Sequence, residues 1–577
     1  MSLPPLPAGS PPGRLAGAGG EPDPVLLLHD LRVRYPGAER PTLDGLNLSL
    51  RPGERLALVG PSGCGKSTVA RAVLQLLPPG STCSGELRLA GQDPRRLSAT
   101  ALRRLRGEAV GLVFQDPMTR LNPLLTIGDH LLDTLAAHAD SERPGDAALR
   151  APEAAGVDGA DAAGLSPAAR RRHRVEDLLE RVGIDPGRWG SYPHEFSGGM
   201  RQRLAIALAL ALSPPLVIAD EPTTSLDVAV AGQVMAELAG LCREAGSALL
   251  LISHDLAMAG RWCERIAVLD NGRLVEEAAS RTLLTTPRSE LAQRLVGAAR
   301  RREGGVAEAP PQRAPLLAIE ELRSWHPLPS APWNPRWLKA VDGVSLTLHE
   351  GETVGIVGAS GCGKSSLCRA LMGLAPVRGG SVRLEGQELR SLGSGLLRQA
   401  RRRIQMVFQD PLACLNPQMA VGEAVADPLL IHGLASRGEA RERARVQLAA
   451  VGLEPPELFE RRLPRQLSGG QQQRVAIARA LILDPKVLLC DESVSMLDAE
   501  VQAEVLELLR DLQRRLGLGM LFVTHDLSVA SGFCHRVIVL DGGRIVEEGS
   551  GEALRRHPRA AITRTLVAAC PRLPAPA

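Results

Sequence analysis

A glycine-rich loop that follows a short apolar segment occurs twice in this chain of 577 residues. The first copy runs from Gly60 to Thr68 and the second from Gly358 to Ser366, and both match G-x-x-x-x-G-K-[ST]. In such a loop the glycines let the backbone curl around phosphates, the lysine reaches the β- and γ-phosphates, and the next hydroxyl binds Mg²⁺. Each copy lies between a strand-like and a helix-forming segment. The repetition predicts two tandem α/β domains, each built around one phosphate-binding loop.

The two loops define two matching sets of candidate phosphate-binding residues. The first set is Gly60, Ser62, Gly63, Cys64, Gly65, Lys66, Ser67 and Thr68. The second set is Gly358, Ser360, Gly361, Cys362, Gly363, Lys364, Ser365 and Ser366. We expect Lys66 and Lys364 to contact the terminal phosphates and Ser67 and Ser365 to bind Mg²⁺.

A second repeated pattern joins a Ser-Gly-Gly turn to an apolar strand that ends in Asp-Glu, followed later by a histidine. Its members are Ser197, Gly198, Gly199, Asp220, Glu221 and His254 in the first half, and Ser468, Gly469, Gly470, Asp491, Glu492 and His525 in the second. A turn that opens a helix offers N–H groups to an anion, and an acidic pair can hold Mg²⁺ and a water. A lone histidine after a strand is more often structural. Its recurrence at a fixed distance favours contact with the γ-phosphate or the attacking water.

The spacing of the repeats indicates where the halves differ in length. The loops are 298 positions apart, whereas the Ser-Gly-Gly turns and the acidic pairs are 271 apart. Most of the difference falls in 136–174, which is poor in large apolar residues and predicts a flexible surface insertion. A tolerated expansion is favoured over a dedicated binding element, because loop closure costs only about 0.6 kcal/mol per doubling of length. The predicted organisation is a disordered tail 1–23, a first domain 24–297, a linker 298–314, and a second domain 315–577 with a short C-terminal tail.

Bulk composition excludes several classes of protein. The net charge of +4 is small for this length and does not favour nucleic-acid binding. The ten cysteines form no CxxC pair, which fits reduced thiols. The N-terminus carries no apolar signal core, and the longest apolar stretch, 204–219, is broken by Ser213-Pro214-Pro215. We therefore expect no membrane span, and work at a membrane would need partners.

Together these motifs resemble those of the ATP-binding cassette (ABC) ATPases, and two cassettes cover nearly the whole chain. The resemblance implies ATP hydrolysis with ATP and Mg²⁺. It also implies two tandem P-loop NTPase domains, each with a mixed-sheet RecA-like core, an antiparallel β subdomain and a helical subdomain. In the family's terms the glycine-rich loops are Walker A loops and the Ser-Gly-Gly turns are signature motifs. The other roles that the resemblance assigns are Q-loop glutamines and Mg²⁺ ligands for Gln115 and Gln409, Walker B and Mg²⁺ ligands for Asp220 and Asp491, general bases for Glu221 and Glu492, and switch histidines for His254 and His525.

The same resemblance implies that the cassettes pair head to tail. Each ATP would then lie between the Walker A loop of one half and the signature of the other. One cassette pair within one chain would suffice for one transporter.

Within the ABC family, the segments 115–123 and 409–417, both ending in Leu-Asn-Pro, resemble the peptide/nickel importer group. The resemblance implies an energy-coupling subunit at the cytoplasmic face of the membrane, with two permeases and an extracytoplasmic binding protein as partners. Glutathione and nickel or metallophore import are alternatives. A soluble twin-cassette protein acting on the ribosome is a further alternative, which the short linker disfavours. Met200 in the first signature and Ser493 after the second Asp-Glu depart from the commonest pattern.

An aromatic residue is expected to stack on adenine in the first half. Tyr35, before Pro36-Gly37, is placed for this role, with a simple core aromatic as the alternative. In the second half, His326 aligns with Tyr35 and Trp325 is adjacent, so both stay candidates.

Overall fold

The computed structural model describes residues 23–115, 120–138, 166–224, 226–303, 314–328, 336–495, 497–570 and 573–574. The predicted N-terminal tail therefore lies outside the described residues except for Asp23, as does most of the predicted insertion. The chain forms two compact units, and the main boundary lies between Val296 and Gly297.

The first unit is built on a mixed sheet with the strand order β5-β6-β7-β3-β8-β9, in which only β9 runs antiparallel to its neighbour. A separate antiparallel sheet has the order β2-β1-β4. The strands are β1 Leu26–Arg34, β2 Leu43–Leu50, β3 Arg55–Val59, β4 Thr82–Leu89, β5 Val110–Val113, β6 Leu216–Asp220, β7 Ala248–Ser253, β8 Arg265–Asp270 and β9 Arg273–Ala279. The central strands are almost continuously apolar because both faces of a parallel sheet are covered.

Helices cover the mixed sheet and form a helical region between β5 and β6. They are α1 Lys66–Val73, α2 Ala99–Glu108, α3 Ile127–Ala136, α4 Pro167–Arg181, α5 Gly198–Leu210, α6 Val228–Glu244, α7 Leu256–Trp262, α8 Ser280–Thr285 and α9 Glu290–Glu303. One apolar core joins the antiparallel sheet and α1 to one face of the mixed sheet. The other core packs the helical region and α6 against the opposite face. The glycine-rich loop, at the end of β3, lies where these layers meet.

The second unit repeats this plan. Its mixed sheet has the order β15-β16-β17-β12-β18-β19, and its antiparallel sheet has the order β11-β10-β13-β14. The strands are β10 Pro315–Leu328, β11 Arg336–His349, β12 Thr353–Val357, β13 Gly379–Leu384, β14 Gln387–Glu388, β15 Ile404–Val407, β16 Val487–Asp491, β17 Gly519–Val523, β18 Arg536–Asp541 and β19 Arg544–Gly549. The predicted fold class, two α/β domains each with a mixed and an antiparallel sheet, is confirmed.

The helices of the second unit follow the same order. They are α10 Lys364–Leu371, α11 Ser394–Arg402, α12 Pro411–Cys414, α13 Val421–Ile431, α14 Arg437–Ala450, α15 Pro456–Glu460, α16 Gly469–Leu481, α17 Ala499–Leu516, α18 Leu527–Phe533, α19 Gly551–Arg556 and α20 Ala561–Ala569. No helix in the described part of either unit is long and apolar enough to cross a membrane.

Two predicted boundaries need correction. The predicted flexible insertion, 136–174, ends inside α4, because Ser166 caps that helix and Pro167 begins it. Arg174 is anchored there by a hydrogen bond from its Nη2 to the carbonyl of Ala211, 2.7 Å away. The predicted linker, 298–314, likewise begins inside α9, where Ala298 is fully buried. For α4 the apolar partners come from distant segments of the same core, which local composition does not reveal.

Candidate functional site

The first glycine-rich loop is shaped by backbone that only glycine tolerates. Gly65 has φ +108° and precedes α1 directly. A Cβ on Gly65 would lie 2.9 Å from the Thr42 carbonyl, and one on Gly60 would lie 2.2 Å from the Leu269 carbonyl. The loop is therefore closed tightly against its surroundings, and its free N–H groups and the start of α1 form an anion cradle.

The lysine of each loop is buried with its ammonium inside the loop. Lys66 Nζ donates to the carbonyls of Gly60 and Pro61, at 2.7 and 2.8 Å. Lys364 Nζ makes the equivalent bonds to its own loop, at 2.8 Å to Gly358. An ammonium has three donors and no acceptor, so a phosphate oxygen entering the loop can take one of these bonds.

A hydroxyl and a carboxylate from distant segments meet beside each lysine. Ser67 Oγ donates to Asp220 Oδ1 over 3.0 Å, and Ser365 Oγ donates to Asp491 Oδ1 over 2.8 Å. Burial raises the pKa of both aspartates, and the serine hydrogen bonds oppose that rise only in part. A desolvated carboxylate beside a hydroxyl is a hard oxygen donor pair, which is the kind of ligand set that Mg²⁺ prefers. The residues present thus fit Mg²⁺, although the described residues contain no cluster of three or more His, Cys, Asp or Glu arranged as a metal site.

Glu221 is held by several side chains at the carboxyl end of β6. Gln115 Nε2 and Thr224 Oγ1 each donate to its Oε2 over 2.9 Å, and His254 Nδ1 lies 3.4 Å from its Oε1. Burial acts to raise the pKa of Glu221, but His254, Thr224 and the Lys66 charge outweigh it, so the pKa is lowered. The carboxylate is therefore kept ionised and oriented, as a base that orients water must be.

Glu492 has a closely similar setting in the second unit. Gln409 Nε2 donates to its Oε2 over 3.0 Å, and His525 Nδ1 lies 3.5 Å from the same oxygen. Lys364 Nζ is 3.9 Å from Oε1. Burial opposes ionisation here too, yet His525 and Lys364 leave the pKa of Glu492 lowered.

Both glutamates adopt a backbone conformation that non-glycine residues rarely take. Glu221 and Glu492 each have φ +47°. Their backbone N–H groups donate to Ile252 and Val523 on the adjacent strands, at 2.9 and 3.0 Å. Such strain, on the order of 1–3 kcal/mol, typically persists where surrounding contacts fix a functional side chain.

The two signature turns begin helices but are capped differently. Ser197 Oγ accepts from the N–H of Met200 over 3.4 Å at the start of α5. At the start of α16, Ser468 Oγ accepts from the N–H of Gln471, and Gln471 Oε1 accepts from the N–H of Ser468 over 3.1 Å. A methionine side chain cannot accept a hydrogen bond from the serine N–H as Gln471 does. The first signature, with Met200 at this position, therefore has only one of the two bonds of a capping box.

The adenine candidates have different surroundings. The Tyr35 hydroxyl lies 3.1 Å from Thr68 Oγ1, which places the ring beside the first glycine-rich loop. In the second unit, Lys339 Nζ lies over the Trp325 ring, 4.9 Å from its centroid. That face of Trp325 is therefore covered, and His326 stays the positional counterpart of Tyr35.

Sequence reasoning did not identify Thr224 or the left-handed backbone of the two glutamates. Thr224 stands three residues after Glu221, where a turn can return a hydroxyl to the carboxylate, so spacing carried a weak signal. The positive φ leaves no trace in residue type.

Comparison with known proteins gives consistent relatives. The ABC transporter family model matches residues 43–224 and 341–495. The peptidoglycan transport ATP-binding protein YejF of Agrobacterium fabrum is 38% identical, over 95% of this chain and 96% of that protein. The glutathione import ATP-binding protein GsiA of Pectobacterium atrosepticum is 36% identical, over 95% and 91%. The oligopeptide transport ATP-binding protein OppD of Mycobacterium tuberculosis is 35% identical, over 95% and 98%.

The family model matches both units, the full-length relatives align across both, and each unit carries its own phosphate loop, acidic pair, glutamine and histidine. The chain therefore belongs to the ABC transporter ATP-binding proteins, as an ABC-type ATPase with two cassettes.

Proposed function

We propose that this chain is the ATP-hydrolysing, energy-coupling subunit of an importer for peptides or glutathione-like small solutes. One observation carries the proposal: a chain with two complete catalytic sets aligns almost end to end with proteins named for peptidoglycan, glutathione and oligopeptide transport. A ribosome-acting twin cassette gains no support from these relatives, and neither does nickel import.

The roles of the site residues follow from their contacts. Lys66 and Lys364 bind the β- and γ-phosphates from inside loops whose carbonyls they already contact. Glu221 and Glu492 orient the attacking water and accept its proton, because their neighbours keep them ionised. His254 and His525, within 3.5 Å of those carboxylates, hold the γ-phosphate side of the site.

Mg²⁺ fits the Ser67–Asp220 and Ser365–Asp491 oxygen pairs, and when bound it supplies charge neutralisation for the nucleotide phosphates. Gln115 and Gln409 keep their amide nitrogens on the glutamates, so their carbonyl oxygens are the atoms available to a cation. Tyr35, adjacent to the first loop, stacks on adenine.

The proposed partners are two membrane permeases and an extracytoplasmic solute-binding protein, with the chain bound peripherally at the cytoplasmic face. The transport names of the relatives support permease partners. Completion of each ATP site by the signature of the other cassette stays a prediction of the family resemblance. A bulky substitution in one signature, Ser468→Arg, should then abolish hydrolysis governed by Glu221.

Steady-state ATPase activity of the purified chain tests the catalytic assignment. The double variant Glu221→Gln with Glu492→Gln should bind ATP with the wild-type affinity and lose nearly all turnover. Glu457→Gln, at an exposed carboxylate outside both sites, is the matched control and should keep full activity. Robust hydrolysis by the double variant would contradict the assigned bases.

Co-purification and uptake test the transport part. The tagged chain, extracted from its native membrane with mild detergent, should bring two multi-span proteins with it. Cells lacking the chain should lose uptake of radiolabelled tripeptide or glutathione, and re-expression of the wild type but not of the double variant should restore it. Recovery of ribosomes in place of membrane proteins would overturn the proposal.

A further inference from the structure

The residues just after the two catalytic glutamates are not equivalent. Thr224 and Ser495 occupy the same position, 271 residues apart, and both carry a hydroxyl. Thr224 Oγ1 donates to the Glu221 carboxylate over 2.9 Å. Ser495 Oγ donates instead to the backbone carbonyl of Glu492, also over 2.9 Å. One hydroxyl thus holds the reactive group, whereas the other holds only the main chain.

The remaining contacts of the two glutamates are similar in kind but differ in arrangement. Each carboxylate receives the amide of its Q-loop glutamine and has a histidine Nδ1 within 3.5 Å. Both glutamates also share one backbone conformation. The histidine faces the oxygen opposite the glutamine in the first site, and the same oxygen as the glutamine in the second. A hydroxyl donor beside the glutamine on Glu221 Oε2 is a feature of the first site, where in the second site a histidine takes that place.

Two donors on one oxygen have a defined physical effect. Gln115 and Thr224 both bond Oε2, so rotation of the Glu221 carboxylate would break two hydrogen bonds at once. The other oxygen, Oε1, faces His254. Hydrogen bonds to a charged group are about twice as strong as neutral ones, so the bond from Thr224 contributes substantially to holding the carboxylate in place.

We propose that Thr224 is a positioning residue of the first ATP site, which fixes the Glu221 carboxylate so that Oε1 meets the attacking water, and that the second site works without this device. The two sites are consequently unequal in turnover. The inference rests on the proposed ATPase function of both glutamates.

Kinetics of three variants, each in two backgrounds, test the inference. Thr224→Val removes the donor at nearly constant shape, Thr224→Ser retains the hydroxyl, and Ser495→Val is the matched control in the second site. Each is measured in the wild-type chain and with Glu492→Gln, where turnover comes from the first site. If the two sites are coupled, Glu492→Gln can be inactive by itself. The effect of the Thr224 variants on kcat is then measured in the otherwise wild-type chain.

In whichever background hydrolyses ATP, Thr224→Val should lower kcat about tenfold. Its KM for ATP should stay within twofold of the value for the same background without the substitution. Thr224→Ser should recover most of that loss, and Ser495→Val should change kcat by less than twofold.

Equal effects of Thr224→Val and Ser495→Val would overturn the inference. So would a loss of kcat in Thr224→Val that Thr224→Ser does not recover, because the hydroxyl would then not be the group that acts. Failure of the proposed function is distinguishable: the double glutamine variant would then hydrolyse ATP whatever residue stands at position 224.

Discussion

Replacing Glu460 by glutamine should weaken one helical region of the second cassette without affecting its counterpart in the first. Glu460 ends α15 with its side chain only 4% exposed. Arg445 donates to it over 2.7 Å and Arg441 over 2.9 Å. Glutamine keeps the size of the side chain but leaves two arginines facing a neutral amide.

The magnitude follows from the pKa of this carboxyl. Hydrogen bonds from Arg445 and then Arg441 lower the pKa of Glu460 from 4.5 to about 2. At about 1.4 kcal/mol per pKa unit this corresponds to roughly 3 kcal/mol. Solvent screening of the partly exposed arginines reduces the expected loss to about 2–3 kcal/mol.

The pH dependence has a definite sign. A carboxyl whose pKa is lowered by folding stabilises the fold fully above its unfolded pKa and loses that contribution as pH falls toward the folded value. For Glu460 the window lies between pH 4.5 and about 2. The difference between wild type and Glu460→Gln should therefore be constant from pH 7 to pH 5.

Hydrogen exchange with mass spectrometry is the assay, because it resolves helices within a two-domain chain. Amides of α14 and α15 should exchange about 30- to 150-fold faster in Glu460→Gln, the rate ratio that 2–3 kcal/mol gives. Glu457→Gln, on the same short helix, should leave exchange unchanged, as should α3 and α4 in either variant. A change below threefold in α14 would refute the argument that this ion cluster stabilises the region.

Three further outcomes are expected. Gly128→Ala would place a Cβ 2.2 Å from the Trp189 ring, so it should destabilise the first cassette by about 1–3 kcal/mol in urea unfolding. Adding Trp189→Leu should relieve part of that cost, and purely additive effects of the two substitutions would argue against the clash. Ser468→Ala should lower the stability of the first turn of α16 by about 1 kcal/mol, which is more than Ser197→Ala should lower that of α5. Local hydrogen-exchange rates measure both losses, and equal losses would contradict the prediction. Cys490 is fully buried and burial raises its pKa to about 12, so iodoacetamide at pH 8 should modify it only after denaturation, and peptide mass spectrometry of the native chain should show it unlabelled.

Motif reasoning predicted contacts between residues that are far apart in the chain. Ser67 and Asp220, separated by 153 positions, were both expected at a cation, and the structure joins them by a hydrogen bond. The prediction was possible because a loop that binds phosphate and Mg²⁺ needs a hydroxyl and a carboxylate, which here follow two parallel strands of one sheet. The catalytic roles themselves stay predictions until the variants are measured.

Composition alone was less reliable. It treated 166–174 as flexible because large apolar residues are scarce there, yet the helix continues into Val175 and Leu179, which are fully buried. The start of the predicted linker was also misplaced, since α9 continues to Glu303 and Ala298 within it is fully buried.

The sequence by itself determined the chemistry of this protein: two α/β cassettes, two phosphate loops and two acidic pairs, because those functions demand particular residue types at particular spacings. Only the tertiary structure decided how each carboxylate is held. Thr224 and Ser495 have the same functional group at the same position, yet one bonds a side chain and the other a carbonyl. The hydroxyl by itself permits either bond, so the conformation of the turn after each strand decides which acceptor it reaches.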